Sequence, residues 1–149
     1  MIYERPKYKN QYENFIGGEW IAPSSGEYIE NISPVDGKLL TKIPRSNEKD
    51  VDLAVEAAKK GFEEFKHTSV TQRSALLNKI ADIVEANLET LAVAETLDNG
   101  KAVRETLNAD LPLFIDHFRY FASVIRAESG TISDLDENTI SQQIYEPYW

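Results

Sequence analysis

The chain has 149 residues, with 25 acidic side chains against 16 basic ones, two histidines and no cysteine. That length suits one domain burying roughly 68–70% of its unfolded surface, and 42% hydrophobic with 28% charged residues is an ordinary globular composition. The absence of cysteine excludes disulfides, cysteine-based zinc sites and a thiol nucleophile, a net charge of −9 argues against a nucleic-acid partner, and no apolar run approaches the ~20 residues of a membrane span.

In chain order, the residues read as a β-rich opening, a long helical middle and a short extended end, an α+β class. The first nine residues hold no apolar signal core, so the expected location is cytoplasmic. Over 12–43 the pattern predicts two consecutive hairpins. Phe15-Ile16 and Trp20-Ile21 flank Gly17-Gly18, and a Gly-Gly pair accepts the positive φ angles of a tight hairpin turn. Tyr28 to Ile32 alternates in character as a half-buried strand does. Ser33-Pro34-Val35-Asp36-Gly37 then supplies turn chemistry before a returning strand from Leu39 to Ile43.

Three amphipathic helices follow, over about 48–66, 70–98 and 111–127. The first carries Val51, Ala54, Val55, Ala58, Phe62 and Phe65 on one face, with Asn47 as cap and Asp50 favourable to the helix dipole. The second opens on a Ser69/Gln72 capping box, runs along Leu77, Ile80, Val84, Leu88 and Leu91 to Leu97, and ends at Asn99-Gly100. A short helical link over 102–108 leads to the third, whose expected face is Phe114, His117, Phe118, Phe121, Ala122 and Ile125, capped by Asp110. These faces need something to pack on: each other, the hairpins, or a surface that this chain does not contain. Beyond the acidic connector Asp134-Leu135-Asp136-Glu137, Thr139 to Tyr145 predicts one edge strand, ended by Pro147.

The residues alone point to no active site. The seven glycines make neither a GxGxxG nor a P-loop, because Gly100-Lys101 lacks the upstream glycine and the following Ser/Thr. His67 and His117 belong to no metal motif, and His117 reads as a partly buried helix residue. No GxSxG elbow is present. The carboxylate pairs at Glu63-Glu64 and within 134–137 read as solvated surface.

Several segments nevertheless occur together in one family. Phe15-Ile16-Gly17-Gly18-Glu19-Trp20, Asn31 to Gly37, Asp50 to Ala58, Gln72 to Leu77 with Ile80-Ala81-Asp82, and above all Glu95-Thr96-Leu97-Asp98-Asn99-Gly100-Lys101 closely resemble the start of NAD(P)-dependent aldehyde dehydrogenases. Asp110-Leu111-Pro112, Phe118 to Ala122 and Tyr145-Glu146-Pro147 extend the resemblance over nearly the whole chain. Ile32-Ser33-Pro34 departs slightly from the family's usual Asn-Pro. The ending departs more: where the family continues into a Pro-Trp-Asn-Phe-Pro motif, this chain reads Tyr148-Trp149.

The resemblance implies an incomplete piece of the cofactor domain over 1–138, then a cut-short oligomerisation strand over 139–149. The family's reaction uses a cysteine thiolate on the aldehyde carbonyl, hydride transfer to nicotinamide and a glutamate-activated water. The resemblance therefore implies no catalytic and no cofactor-binding residue in this chain, NAD or NADP belonging to full-length relatives. It further implies half of a monovalent cation site, with Asp98 and backbone oxygens at Asn31 or Ile32. The alternative is that Asp98 only helps to end its helix. The expected partners are a second copy through the 139–145 strand, or a separate C-terminal dehydrogenase chain. Nucleic acid and membrane are not expected partners. A stand-alone module that binds a full-length relative is the third alternative.

Overall fold

The computed structural model describes residues 3–146; the sequence expectations for Pro147, Tyr148 and Trp149 lie outside the described residues. Strands β1 (Asn14–Ile16) and β2 (Glu19–Ile21) form the first antiparallel hairpin, with Phe15 opposite Trp20. Gly17 and Gly18 turn it at φ values of 62° and 88°. Two consecutive positive φ angles match the right-handed twist of the flanking strands, which explains why glycine occupies both positions. Strands β3 (Tyr28–Ile32) and β4 (Leu39–Pro44) form the second hairpin, with a register shift between Asn31 and Ile32.

Helix α1 (Glu48–Phe65) starts with a reciprocal cap. The Asn47 side chain accepts from Lys49 N–H at 3.0 Å, and Asp50 accepts from the Asn47 N–H at 2.9 Å. Asp50 also accepts from the Ser24 N–H at 2.8 Å, so a carboxylate that is only 4% exposed ties the hairpin segment to the helix start. The backbone N–H of Asn47, followed by that of Ser24, holds the Asp50 carboxyl below its ordinary 3.8. Because the folded pKa is depressed, this stabilisation is complete above the ordinary carboxylate range and is lost as pH falls through the lower folded value. An acid titration of stability should therefore fall less steeply in Asp50→Asn, whose stability at neutral pH should also be lower. Circular dichroism at a series of pH values checks both.

The single helix expected over 70–98 is two helices, α2 (Val70–Ala86) and α3 (Leu88–Asn99), broken at Asn87. The Asn87 side chain donates to Ile83 O at 2.8 Å, a local bond that competes with the regular helix ladder. The Ser69/Gln72 capping box is present, with Gln72 N–H to Ser69 Oγ at 3.2 Å and Ser69 N–H to Gln72 Oε1 at 2.8 Å. The link after α3 is one turn, α4 (Val103–Glu105), and a π turn over Thr106–Asp110. It runs directly into α5 (Leu111–Ala127). Asp110 does not cap α5: its backbone is helical and its carboxylate pairs with the Lys101 ammonium.

Helices α2 and α5 pack through small residues. Ala81 and Ala122 are completely buried, and Ser74 Oγ donates to Ala122 O at 2.6 Å. The Ser74 bond and the burial of Ala122 mark which face of α5 is inside. The buried line passes through Ile115 and Ala122, with Phe118 and Ile125 half-buried, so the expected face is only partly turned inward. Phe114 and Phe121 are exposed and so is His117, which is not the half-buried packing residue that the pattern suggested. Arg119 bridges the pair from outside, donating to Asp82 at 2.9 Å and Glu85 at 2.6 Å. Exposed ion pairs contribute little and are screened by salt. Arg119→Ala is expected to leave the urea midpoint almost unchanged, and any difference should shrink in high salt.

Helix α3 supplies Ala92, Val93 and Leu97 to the interior. By contrast, the apolar stripe of α1 has little cover: Val51 is 57% exposed and Phe65 46%. The terminal strand, β6 (Thr139–Gln143), has a partner that the sequence did not announce. Thr131–Asp136 forms β5, so the acidic segment read as a connector is one arm of a third antiparallel hairpin. Every residue of both arms is exposed. Among the described residues no helix is long and apolar enough to cross a membrane.

Candidate functional site

The end of α3 meets the turn between β3 and β4. Ser33, completely buried, donates its hydroxyl to Leu97 O at 2.6 Å. That carbonyl lies in the last turn of the helix, where no intrahelical donor remains for it. One turn on, Gly100 takes φ 81° and its N–H donates to Thr96 O at 2.9 Å, closing the helix. Pro34 packs so closely that a β carbon on Gly100 would lie 3.0 Å from Pro34 Cγ.

This junction brings Asn31 and Asp98 together through their side chains, whereas the ligand expected at Asn31 was its backbone oxygen. Asn31 Nδ2 donates to Asp98 Oδ1 at 2.7 Å across 67 residues of sequence. Ile32 follows at the bulge, between Asn31 and the buried Ser33, with its side chain exposed. The junction borders a cleft of about 370 Å³, lined by Tyr8, Asn31, Thr41, Leu91, Glu95 and Asp98 among others. Partial burial, with the Asp98 charge second, raises the Tyr8 phenol above its ordinary 10.0.

A hard cation needs several oxygen donors. Asp98 and Glu95 line the cleft, but Asn31 directs its N–H at Asp98 and so supplies no side-chain oxygen in that direction. Among the described residues no group of three His, Cys, Asp or Glu side chains is placed to hold a metal ion. The Asn31–Asp98 bond fixes the helix end to the strand.

Sequence reasoning missed a buried hydroxyl cluster beside the junction. Thr106 Oγ1 lies 3.0 Å from Ala92 O, 3.1 Å from Val103 O and 3.2 Å from Thr96 Oγ1. Completely buried, it anchors the π turn to α3. The only signal was two threonines in helical surroundings, where a hydroxyl commonly bonds a carbonyl one turn back. Missed too was the role of Ser33, whose Oγ also accepts from Val35 N–H at 3.3 Å. The Glu63-Glu64 pair is exposed, as expected of solvated surface.

A model of the "Aldehyde dehydrogenase family" matches residues 20–148. A long-chain-aldehyde dehydrogenase from Acinetobacter sp. is 63% identical over 140 residues, covering 94% of this chain and 28% of that protein. Aldehyde dehydrogenase B of Escherichia coli K12 is 56% identical over 141 residues, covering 95% and 28% respectively. Among solved structures, a P. syringae indole-3-acetaldehyde dehydrogenase in complex with NAD+ and IAA superposes with a TM-score of 0.83 at 31% identity, covering 91% of this chain and 28% of that one. An NAD-dependent aldehyde dehydrogenase from Sinorhizobium meliloti gives a TM-score of 0.81 at 28% identity, covering 91% and 28%. The chain thus spans about 28% of the length of the curated relatives it matches. With the family model matching most of its length, and the hairpins, capped helices and Asn31–Asp98 junction in place, the chain belongs to the aldehyde dehydrogenase family.

Proposed function

We propose that this chain supplies the N-terminal part of the cofactor domain of an NAD(P)-dependent aldehyde dehydrogenase and is catalytically silent alone. The observation that supports this is apolar surface left without cover. Val51 on α1, Leu113 and Phe121 on α5, and Ile83 on α2 are each more than half exposed. Side chains of this kind contribute about 1.5–3 kcal/mol each when fully buried. Their exposure is explained if the rest of the family's architecture covers them.

The chemistry agrees. Oxidation of an aldehyde in this family needs a thiolate to bond to the carbonyl carbon before hydride leaves for the nicotinamide. The chain encodes no cysteine, and a serine hydroxyl is far less acidic than a thiol. What these residues do instead is build a frame: the Ser33–Leu97 and Asn31–Asp98 contacts fix α3 against the second hairpin. A monovalent cation would bind weakly there, with Asp98 and a backbone oxygen near Ile32 as its ligands. The proposed setting is the cytoplasm, where the family's nicotinamide cofactor is available.

Mixing the purified chain with a polypeptide carrying the remaining part of a close relative tests this reading. We expect no NADH from either alone and aldehyde-dependent NADH from the mixture. Activity of the chain by itself, with host enzyme excluded, would overturn it.

A second reading, self-association, is favoured by the third hairpin. Ile132 and Ile140 lie on one face of it, 70% and 68% exposed, and among the described residues both strand edges lack a neighbouring strand. Exposed edges pair readily with another chain. Size-exclusion chromatography with light scattering should show a dimer or larger species, and Ile140→Lys should return it to the monomer. A monomer at all concentrations counts against this pairing.

A further inference from the structure

Asn99-Gly100 is the one Asn-Gly step in the sequence, and Asn99 is exposed at the end of α3. Asn-Gly is the dipeptide most prone to spontaneous deamidation, since glycine puts no side chain in the way of ring closure. The ionised Gly100 backbone nitrogen attacks Asn99 Cγ, a new C–N bond forms, and the side-chain nitrogen leaves as ammonia. Water then opens the succinimide at either carbonyl, giving aspartate or isoaspartate.

Both reacting groups are engaged in the fold. The Gly100 N–H, which must lose its proton, donates to Thr96 O at 2.9 Å. Asn99 Oδ1 accepts from the Lys101 N–H at 2.7 Å, holding the side chain over the turn. Gly100 is further held against Pro34, and the preceding turn of helix is fixed by Ser33 Oγ to Leu97 O at 2.6 Å. We propose that Asn99-Gly100 is a latent modification site, locked against succinimide formation by the junction between α3 and the Pro34 turn, and released when that junction opens.

Release is one-way. Isoaspartate inserts a methylene group into the backbone between residues 99 and 100, so the Gly100 N–H can no longer meet Thr96 O while Gly100 stays against Pro34. Either product adds a negative charge beside Asp98, at the helix end where the dipole already disfavours one. An opened junction thus becomes a permanently weakened one.

The full chain incubated at mildly alkaline pH, in buffer and in concentrated urea, tests this by peptide mapping for isoaspartate and the one-dalton gain at residue 99. Local opening limits a locked site, so the rate in buffer should be at least about tenfold below the rate in urea. Ser33→Ala should raise the buffer rate and leave the urea rate unchanged, whereas Asn99→Gln should abolish the signal in both. Equal rates in buffer and urea for the unaltered chain would overturn the proposal, as would no reaction in urea or a buffer rate unmoved by Ser33→Ala.

Discussion

Leu97→Ala is expected to unfold most of the chain at moderate urea, lowering the midpoint by roughly 1–3 M. Among the described residues, three of the six buried apolar ones are alanines, Ala81, Ala92 and Ala122, so the interior depends on Val93, Leu97 and Ile115. Leu97 is completely buried, and truncating such a leucine costs about 2–5 kcal/mol in lost transfer energy and residual cavity. That is a large share of the ~5–15 kcal/mol available to an ordinary domain. The backbone sharpens the effect, because Leu97 O is the acceptor for the buried Ser33 hydroxyl. A helix end that shifts to fill the cavity must break that bond, and leaving a buried polar group unpaired costs a further ~1–3 kcal/mol. Leu113→Ala is the control. It removes the same atoms from a position that is 55% exposed and should move stability by no more than about 0.5 kcal/mol. Equal midpoints for the two variants would mean that the interior is not organised around α3.

The contrast between these leucines also shows what sequence patterning could and could not deliver. Signals confined to a few adjacent residues were legible. Asn47 with Asp50, Ser69 with Gln72, Gly17-Gly18 and Asn99-Gly100 all specify their caps and turns through bonds that close within four residues. Which face of a helix goes inside is a different matter, because the partner decides it. On α5 the aromatic residues form the stronger apolar pattern, yet the line through Ala122 packs, where the Ser74 hydroxyl of α2 reaches Ala122 O. The break at Asn87 was hidden for a related reason: Val84, Leu88 and Leu91 keep their spacing across it, while one asparagine side chain diverts the backbone. In β5, Asp134 and Asp136 masked a strand whose cue was Thr131-Ile132-Ser133, and Asp136 Oδ1 turns the chain by accepting from the Asn138 N–H at 2.8 Å. The candidate site was legible only through family resemblance. Asn31 and Asp98 meet across 67 residues, a separation on which local periodicity carries no information.

Gly100→Ala and Gly61→Ala should change stability in opposite directions, although the chemical change is identical. At Gly100 the backbone sits at φ 81°, where an L side chain costs about 1–2 kcal/mol. The added carbon would also lie 3.0 Å from Pro34 Cγ and 3.4 Å from its Cβ. Pro34 cannot swing aside as a long flexible side chain would, because its ring is tied to a turn that Ser33 anchors to Leu97. The strain is therefore relieved only by parting the helix end from the turn, with a total loss of about 2 kcal/mol or more expected. At Gly61, inside α1, nothing stands within 4 Å of the new carbon. Alanine there narrows the unfolded ensemble and favours helix, so a gain of about 0.5–1 kcal/mol is expected. Thermal or urea unfolding of both variants beside the unaltered chain reads the two signs directly. The Gly100 variant should also lose protection of the Gly100 amide against hydrogen exchange, which the Gly61 variant should keep. A Gly100→Ala chain as stable as the unaltered one would mean that α3 and the Pro34 turn do not meet in solution as they do here. The Asn31–Asp98 contact depends on the same meeting and would fall with it.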